Sequence, residues 1–365
     1  VMGNIDNTKS LDVSVNLVSS ISLGVNNQYD IGNSKGFIFV ASYSGNSIKS
    51  VNISDPKNPV LAGSVTIPGV QSFSIGGDYA YALSNSMNYL VVVYISNPLA
   101  MQVVSTTTVG AAPGNIYVSG SNAYVLADNN LQIFDISNPL RVELISTTPI
   151  GYYADELKIV GRYAYIIEGD GGQGFFSVLD ISNPKNPLIL GSIATSIGPQ
   201  GLDVVGSKAY VSTHTGSRLQ IIDISNPSSL SIISTTVISL GAAALVVNGR
   251  YAYISYYTDA RVEIFDISLS SSPVLVDTIA TGNNIQSPVE IIGRYLFVPS
   301  YGTNNLNIYD IGGLETSSAL VHSLEAGNLS VRNDISTGGL LNVGTALTIG
   351  RGGFYSQGNS AVYGS

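Results

Sequence analysis

The chain has 365 residues, a formal net charge of −9, and only 11% charged residues, against about 25% in typical soluble domains. It has no cysteine, which excludes disulfides and thiolate metal sites. The acidic balance, without any Lys/Arg cluster, argues against a nucleic-acid partner. No apolar run approaches the roughly 18 residues that span a bilayer, so no membrane span is expected. Uncharged polar residues and 22 Tyr replace the charges, which favours an extracellular, cell-surface or virion-surface location.

The N-terminal residues contain two predicted strands. SLDVSV, residues 10–15, alternates apolar and polar side chains, and LVSSISL, residues 17–23, follows directly. We assign residues 1–16 to an N-terminal arm that pairs with other subunits, by strand addition or by trimeric winding. The candidate assembly residues of this arm are Leu11, Val13 and Val15.

A ten-residue phrase then recurs seven times, for example as IFDISNPLRV and VLDISNPKNP; we call it the marker phrase. Its isoleucines are spaced 41 to 45 residues apart, at Ile53, Ile95, Ile136, Ile181, Ile224, Ile267 and Ile311. Before each copy, a phrase such as KIVGRYAYII reads as two short strands joined by a Gly turn. The marker phrase supplies a third strand and a fourth follows it. Four strands at this period predict one blade of a β-propeller.

The Asp-Ile-Ser-Asn-Pro part of the marker phrase is typical of a turn that ends a strand. Asn before Pro favours extended geometry, Pro presets the turn, and Asp and Ser side chains bond nearby backbone groups. We therefore interpret the repeated aspartates as turn-stabilising residues rather than catalytic acids: Asp135, Asp180, Asp223, Asp266 and Asp310.

The pattern LQIIDISNPSSLSIIST, with VVGSKAYV upstream of it, resembles the LVIVD-repeat proteins, β-propeller proteins of bacteria and archaea often found at the cell surface. The resemblance covers residues from about Leu17 to about Glu325. It implies an all-β fold, a seven-bladed propeller of four-stranded blades over residues 17–325. It implies no catalytic residue, because the family has no catalytic signature to carry over.

The repeat yields eight candidates for a fourth strand, one more than seven blades need. We predict that residues 17–23 complete the last blade and close the ring. The alternative is that ALVHSL, residues 319–324, fills that place.

From Ala326 the repeat stops, and short apolar pairs separated by Gly follow. This tail, residues 326–365, resembles the Gly-punctuated β-strand shafts of phage tail fibres and bacterial surface fibres. So few residues of this kind do not bury enough surface to order alone, which predicts an assembly role with copies of the same chain. The alternative is that the tail is a flexible linker. Its candidate assembly residues are Leu329, Val331, Leu341, Val343, Leu347 and Ile349.

Few residues suggest chemistry. His214 and His322 lie far apart in the repeat, so neither a Ser/His/Asp triad nor a histidine metal site is expected. Two places offer oxygen ligands for Ca²⁺. One is the Gly-rich loop with Glu168 and Asp170, which can equally be a hairpin tip. The other is a column of innermost-strand side chains expected near the axis, which can equally serve structure: Asp30, Ser74, Tyr117, Lys158, Asp203, Val246 and Glu290.

Three functions remain open. The first is a non-catalytic extracellular subunit that assembles through its terminal strands into a filament, fibre or surface layer. The second is an adhesin that binds a glycan or receptor through tyrosines of the propeller loops. The third is a propeller hydrolase, which would need converging acids such as Asp203 and Glu290. The tyrosines of the second hypothesis are Tyr152, Tyr153, Tyr256, Tyr257 and Tyr301.

Overall fold

The computed structural model describes residues 15–25, 27–169 and 172–312. In this part of the chain, 28 strands form seven antiparallel four-stranded sheets, arranged as the blades of a propeller. The prediction of an all-β, seven-bladed propeller is confirmed.

Blades 1 to 4 consist, from the axis outward, of the following strands: β2 Gln28–Ser34, β3 Phe37–Ser42, β4 Ser47–Asn52 and β5 Val60–Thr66; β6 Val70–Gly76, β7 Tyr79–Ser84, β8 Tyr89–Tyr94 and β9 Gln102–Thr108; β10 Asn115–Ser119, β11 Asn122–Ala127, β12 Asn130–Asp135 and β13 Glu143–Pro149; β14 Tyr153–Val160, β15 Tyr163–Gly169, β16 Gly174–Asp180 and β17 Leu188–Thr195. Blades 5 to 7 follow in the same way: β18 Pro199–Val205, β19 Lys208–Thr213, β20 Arg218–Asp223 and β21 Ser231–Val237; β22 Ala242–Asn248, β23 Tyr251–Tyr256, β24 Arg261–Asp266 and β25 Val274–Ala280; β26 Glu290–Ile292, β27 Tyr295–Pro299, β28 Asn305–Asp310 and β1 Asn16–Ser22.

The core lies between the blades. Phe39 of blade 1 and Phe73 of blade 2 share one apolar cluster, and Ile31 of blade 1 shares another with Phe297 and Leu306 of blade 7. Third strands such as YLVVVY (β8) are buried along most of their length. Their almost continuous apolar sequence follows from this, because a strand covered on both faces has no wet side to keep polar.

The N-terminal strand closes the ring. β1 pairs antiparallel with β28, so that Asn16 lies opposite Asp310 and Ser22 opposite Asn305. Leu23, directly after β1, is 1% exposed, and its amide donates to the carbonyl of Asn304. The prediction that residues 17–23 complete the last blade is therefore confirmed, and residues 319–324 lie outside the described residues.

The antiparallel order gives the propeller two different faces. We call the face that carries the marker-phrase turns the marker face; the turns between first and second strands also lie there. We call the opposite face, with the connections between blades and the turns between second and third strands, the mouth face. Asn16 and Asp310 are paired at the marker face, so the described chain enters and leaves the propeller side by side.

The marker-phrase aspartates close the turns, as the sequence indicates. Asp135 Oδ1 accepts a hydrogen bond of 2.8 Å from the amide of Ser137, two residues on. The same bond recurs at four other copies, from Asp180, Asp223, Asp266 and Asp310. The hydrogen bonds from Ser137 to its carboxylate hold the pKa of Asp135 below its ordinary value. The aspartates are thus committed to turns on the marker face.

The proline of the marker phrase also joins neighbouring blades. Ser105 Oγ donates to the carbonyl of Pro139 at 2.6 Å, and Ser146 Oγ to that of Pro184 at 2.6 Å. Where glycine replaces this outer-strand serine, the carbonyl comes closer: a Cβ on Gly191 would lie 2.4 Å from the oxygen of Pro227. Each marker-phrase turn therefore ends the third strand of its own blade and also contacts the outer strand of the preceding blade.

Candidate ligand-binding site

A cavity of about 890 Å³ lies where the seven innermost strands meet. Residues from every blade line it, and the lining includes both polar and apolar residues. Its size is within the range of ligand sites, about 300–1,000 Å³.

Six members of the predicted axial column share one layer next to the axis, and all of them except Asp203 line the cavity. Ser74, Tyr117, Lys158 and Asp203 each pair with the central tyrosine of the following hairpin strand, as in Lys158 opposite Tyr165. Val246 and Glu290 pair with the equivalent aromatic residues of blades 6 and 7. The assignment of Asp30 to this layer is wrong. Asp30 pairs with Ala41, and Gly32 occupies the column position opposite Phe39.

The misplacement of Asp30, by two positions along its strand, has a physical reason. Asp30 lies one pleat further from the hairpin turn, in the layer of Glu156, which pairs with Ile167. Because side chains alternate with period two along a strand, both layers face the axis. The spacing of the polar residues alone therefore does not distinguish them.

The acids of both layers bind the backbone of the next blade. Asp30 Oδ2 accepts from the amide of Phe73 at 2.8 Å, and Asp203 Oδ2 from that of Val247 at 2.7 Å. Glu156 Oε2 accepts from the amide of Leu202 at 2.7 Å. Ser74 and Asn115 serve the two remaining junctions between blades 1 and 6, through the amides of Val118 and Leu157. Sequence reasoning missed this role, because no single residue type carries it.

One lysine balances part of this acidic wall. Lys158 Nζ lies 3.1 Å from Glu156 Oε1. Burial alone would lower the pKa of Lys158, but the carboxylates of Glu156 and Asp203 outweigh burial and hold it above its ordinary value. Burial raises the pKa of Glu156. The lysine is therefore charged and paired on the side of blades 4 and 5.

On the side of blades 1 and 7, the acids Asp30 and Glu290 form no ion pair within the described part of the chain like that between Lys158 and Glu156. Burial raises the pKa of Asp30 to about 6 and that of Glu290 to about 7. Asn33 Nδ2 donates to Glu290 Oε1 at 2.5 Å and links blade 1 to blade 7. No group of three or more His, Cys, Asp or Glu suited to a metal ion occurs among the described residues. Both acids are hydrogen-bonded, Asp30 to the amide of Phe73 and Glu290 to Asn33.

Bulges build the rim of the cavity at the mouth face. In five blades the first strand skips one residue in its pairing, and a bulge turns that side chain towards a new direction. The residues released in this way are Tyr29, Gln71, Asp155, Gln200 and Ala243. All five line the cavity. We call these residues the bulge ring. Sequence reasoning missed it, since the bulges leave no mark in residue type.

Four of the five predicted binding tyrosines lie at the mouth face and keep some exposure. Tyr153 is 48% exposed and lines the cavity, while Tyr152 stacks on Phe175 with ring centroids 5.0 Å apart. Tyr257 lines the cavity and contacts Tyr301 edge to face at 5.5 Å.

Tyr256, the fifth, is unsuited to binding. It is fully buried and its hydroxyl donates to Glu263. Burial raises the pKa of Tyr256 far above its ordinary value. Tyr256 is the last residue of β23 and packs in the apolar cluster between blades 5 and 6. Its neighbour Tyr257 lies just beyond the end of the strand and keeps some exposure.

Tyr257 and Tyr301 belong to a longer row of aromatic rings. Tyr29 lies 6.1 Å from Tyr301 and 5.6 Å from Tyr43, measured between ring centroids. The row crosses blades 6, 7 and 1, and we call its four members, Tyr43, Tyr29, Tyr301 and Tyr257, the tyrosine row. Tyr29 belongs to both the row and the bulge ring.

The remaining candidates are placed as follows. Glu168 is buried; its Oε1 accepts from Ser177 Oγ at 2.5 Å and its Oε2 from the amide of Tyr152 at 3.0 Å. Its oxygens therefore hold the hairpin rather than an ion. His214 lines the cavity. Val15 packs on the cluster between blades 6 and 7. Outside the described residues lie Asp170, His322, Leu11, Val13, Leu329, Val331, Leu341, Val343, Leu347 and Ile349.

The closed ring, its clamped blades and its axial cavity define the chain as a seven-bladed β-propeller protein. The LVIVD repeat model matches residues 29–67, 69–109, 110–147, 151–195, 200–236 and 241–281. The chain therefore belongs to the LVIVD-repeat family, as its resemblance implies. No curated protein matches the sequence.

Solved structures share the fold at low identity. A chain of Kuenenia stuttgartiensis hydrazine synthase is 18% identical with a TM-score of 0.65, over 81% of this chain and 97% of that one. BamB from Moraxella catarrhalis is 12% identical with a TM-score of 0.59, over 81% and 99%. A putative 6-phosphogluconolactonase from Bacteroides fragilis is 16% identical with a TM-score of 0.63, over 78% and 89%. These similarities show the fold alone.

Within the described residues, no helix is long and apolar enough to cross a membrane.

Proposed function

We propose that the chain is a non-catalytic extracellular subunit, a propeller head that assembles with copies of itself through its terminal arms and presents its mouth face outward. The observation that carries the proposal is the pairing of Asn16 with Asp310 at the marker face. Residues 1–14 and 313–365 therefore join the propeller at one place. The cavity and the tyrosine row lie at the opposite face.

The blade edges support the arms as the means of assembly. Each of the seven outer strands carries a bulge in its pairing with the third strand, for example between Ile133 and Phe134 of β12 opposite β13. Bulges twist an edge strand and obstruct the addition of another strand. The alternating apolar residues of the arms are the better candidates for pairing between subunits.

The bonding of the axial acids supports a non-catalytic role. Asp203, the strongest candidate for a hydrolase, binds the amide of Val247 and faces Lys158. Glu290 accepts from Asn33. A general acid or base needs an open approach to substrate, whereas these carboxylates connect blades. The putative 6-phosphogluconolactonase from Bacteroides fragilis shares only the fold with this chain, at 16% identity.

The proposal is tested in the full-length chain by removing apolar side chains from the tail. A variant with Leu329→Ser, Leu341→Ser and Leu347→Ser is compared with a matched variant in which three exposed apolar residues at the mouth-face end of the propeller, Met87, Val237 and Leu240, become serine. Sedimentation velocity and negative-stain electron microscopy measure assembly. We expect the tail variant to sediment as a monomer and the matched variant to assemble. Assembly of the tail variant at the wild-type level would contradict the proposal.

A further inference from the structure

Members of the bulge ring and of the tyrosine row line the same cavity. Tyr29 and Tyr257 of the row line the cavity, together with Asp155 and Gln200 of the bulge ring and the exposed Tyr153. Aromatic faces thus stand next to planar amide and carboxylate groups at the mouth. The inference below rests on the proposed presentation of this face, because a covered mouth binds nothing.

Several polar groups at the mouth have bonding capacity to spare. No described residue donates a hydrogen bond to Asp155, whose pKa is raised to about 7 by burial and by the charge of Glu156. The Oε1 atom of Gln286 is buried without a hydrogen-bond partner. Gln200 is exposed at the same rim. Buried polar atoms in folded proteins are nearly always satisfied, so an unpaired acceptor at a cavity wall favours a ligand that donates hydrogen bonds.

The charge of the wall restricts that ligand further. The charged residues that line the cavity are four acids, Asp30, Asp155, Glu156 and Glu290, and one base, Lys158. Lys158 is already paired with Glu156. The lining offers no free cation to a phosphate, sulfate or carboxylate group. An anionic ligand is therefore disfavoured at this mouth.

We propose that the mouth binds a saccharide that carries no acidic groups. Tyr153 and Tyr257 supply aromatic faces for the apolar C–H surface of a sugar ring, since tyrosine combines a large contact area with low conformational cost. Asp155, Gln200 and Gln286 accept hydrogen bonds from ring hydroxyls, and a carboxylate or amide can bond two neighbouring hydroxyls at once. The cavity volume accommodates one or more sugar rings.

A peptide fits this surface less well. Extended peptides gain affinity mainly from main-chain bonds to an exposed strand edge. The strands that border the mouth are the innermost ones, and their edges face the axis inside the ring. The rim instead offers side-chain acceptors, which suit a ligand with many hydroxyl donors.

The test uses the full-length chain on an array of neutral, amino-sugar and acidic oligosaccharides, followed by calorimetry with the saccharide that is bound best. Tyr257→Ala and Gln200→Ala are the mouth variants. Tyr94→Ala is the matched control, because Tyr94 is an exposed tyrosine at the marker-face end of β8. Thermal melting checks that all three variants fold.

We expect retention of saccharides without acidic groups, a loss of about tenfold or more in affinity for each mouth variant, about 1.4 kcal/mol, and unchanged affinity in Tyr94→Ala. Three outcomes would overturn the inference: no retention of any saccharide, retention of acidic saccharides only, or undiminished binding by both mouth variants. Sedimentation of the same chain reports on assembly separately, so either proposal can fail without the other.

Discussion

The carboxylate of Asp203 in blade 5 accepts a hydrogen bond of 2.7 Å from the backbone amide of Val247 in blade 6. Asp30, Ser74, Asn115 and Glu156 make the corresponding bond at the four preceding junctions. The polar residues near the axis thus link neighbouring blades where their innermost strands converge. Their first effect is on stability.

We predict that Asp203→Ala lowers the free energy of unfolding by about 1–2 kcal/mol, because the amide of Val247 loses its partner. Chemical denaturation followed by circular dichroism measures the change. Glu143→Ala is the control, since Glu143 is an exposed acid paired only with the exposed Arg141. Equal stability of the two variants would show that the bond between blades contributes nothing.

Stability is expected to fall as the pH rises from about 5 to about 7.5. Burial raises the pKa of Asp30 to about 6 and that of Glu290 to about 7, whereas unfolded carboxyls titrate near 4. Within this window the folded chain holds protons that the unfolded chain has released, so a higher pH favours unfolding. The pKa of Asp266, lowered to about 2 by its bond to Arg250, affects only more acidic conditions.

Thermal midpoints across this pH range measure the effect. Glu290→Gln keeps an acceptor for Asn33 and removes one of the titrating groups, so its profile should be flatter than that of the wild-type chain. A wild-type midpoint that is constant or rises with pH would contradict the assignment.

Ser146 and Gly191 occupy equivalent positions in the outer strands of blades 3 and 4, but the contact with the marker-phrase carbonyl requires a hydroxyl donor at the first and no side chain at the second. Ser146→Ala should cost about 1 kcal/mol, because the carbonyl of Pro184 loses one donor. Gly191→Ala should cost more, about 1–3 kcal/mol, since its new Cβ would lie 2.4 Å from the carbonyl oxygen of Pro227 and force a backbone shift. Urea unfolding of the two variants and of the wild-type chain measures both losses of stability. A Gly191→Ala variant as stable as wild type would rule out the close approach.

Ring closure by the N-terminal strand makes Leu23 a core residue despite its place near the chain start. Leu23→Ala should lower the free energy of unfolding by about 2–5 kcal/mol. Leu17, at the other end of the same strand, is 58% exposed, and Leu17→Ala should stay within about 0.5 kcal/mol of wild type. If Leu23→Ala unfolds like wild type, residues 17–23 do not close the ring in solution.

The fold could be predicted from the sequence because its information is repeated. The marker phrase indicates the same strand and turn seven times. A departure such as the sixth copy, in which Leu269 replaces the asparagine, therefore does not hide the period. Counting strands then identified residues 17–23 as the closing strand. A pattern averaged over seven copies is more robust than any single segment.

The candidate site could be predicted only in part, because it depends on irregularities that the repeat does not encode. The column around Lys158 follows from alignment, but Asp30 was assigned to the wrong layer, since both layers share the same alternation. Asp155 and Gln200 reach the mouth through bulges, which are backbone features without a residue signature. Tyr256 and Tyr257 look alike in sequence, and only the end of β23 separates a buried ring from one at the rim.

The central claim, that the marker face is held in the assembly and the mouth face is free, is tested most directly by cysteine labelling. The chain has no cysteine, so Ser86→Cys, in an exposed mouth-face loop, and Lys185→Cys, in an exposed marker-face turn, each give one reactive thiol. The rate of maleimide modification is compared between the assembled and the dissociated full-length chain. We predict an unchanged rate at Ser86→Cys and a slower rate on assembly at Lys185→Cys. Protection of Ser86→Cys, or equal rates at both positions in both states, would contradict the account.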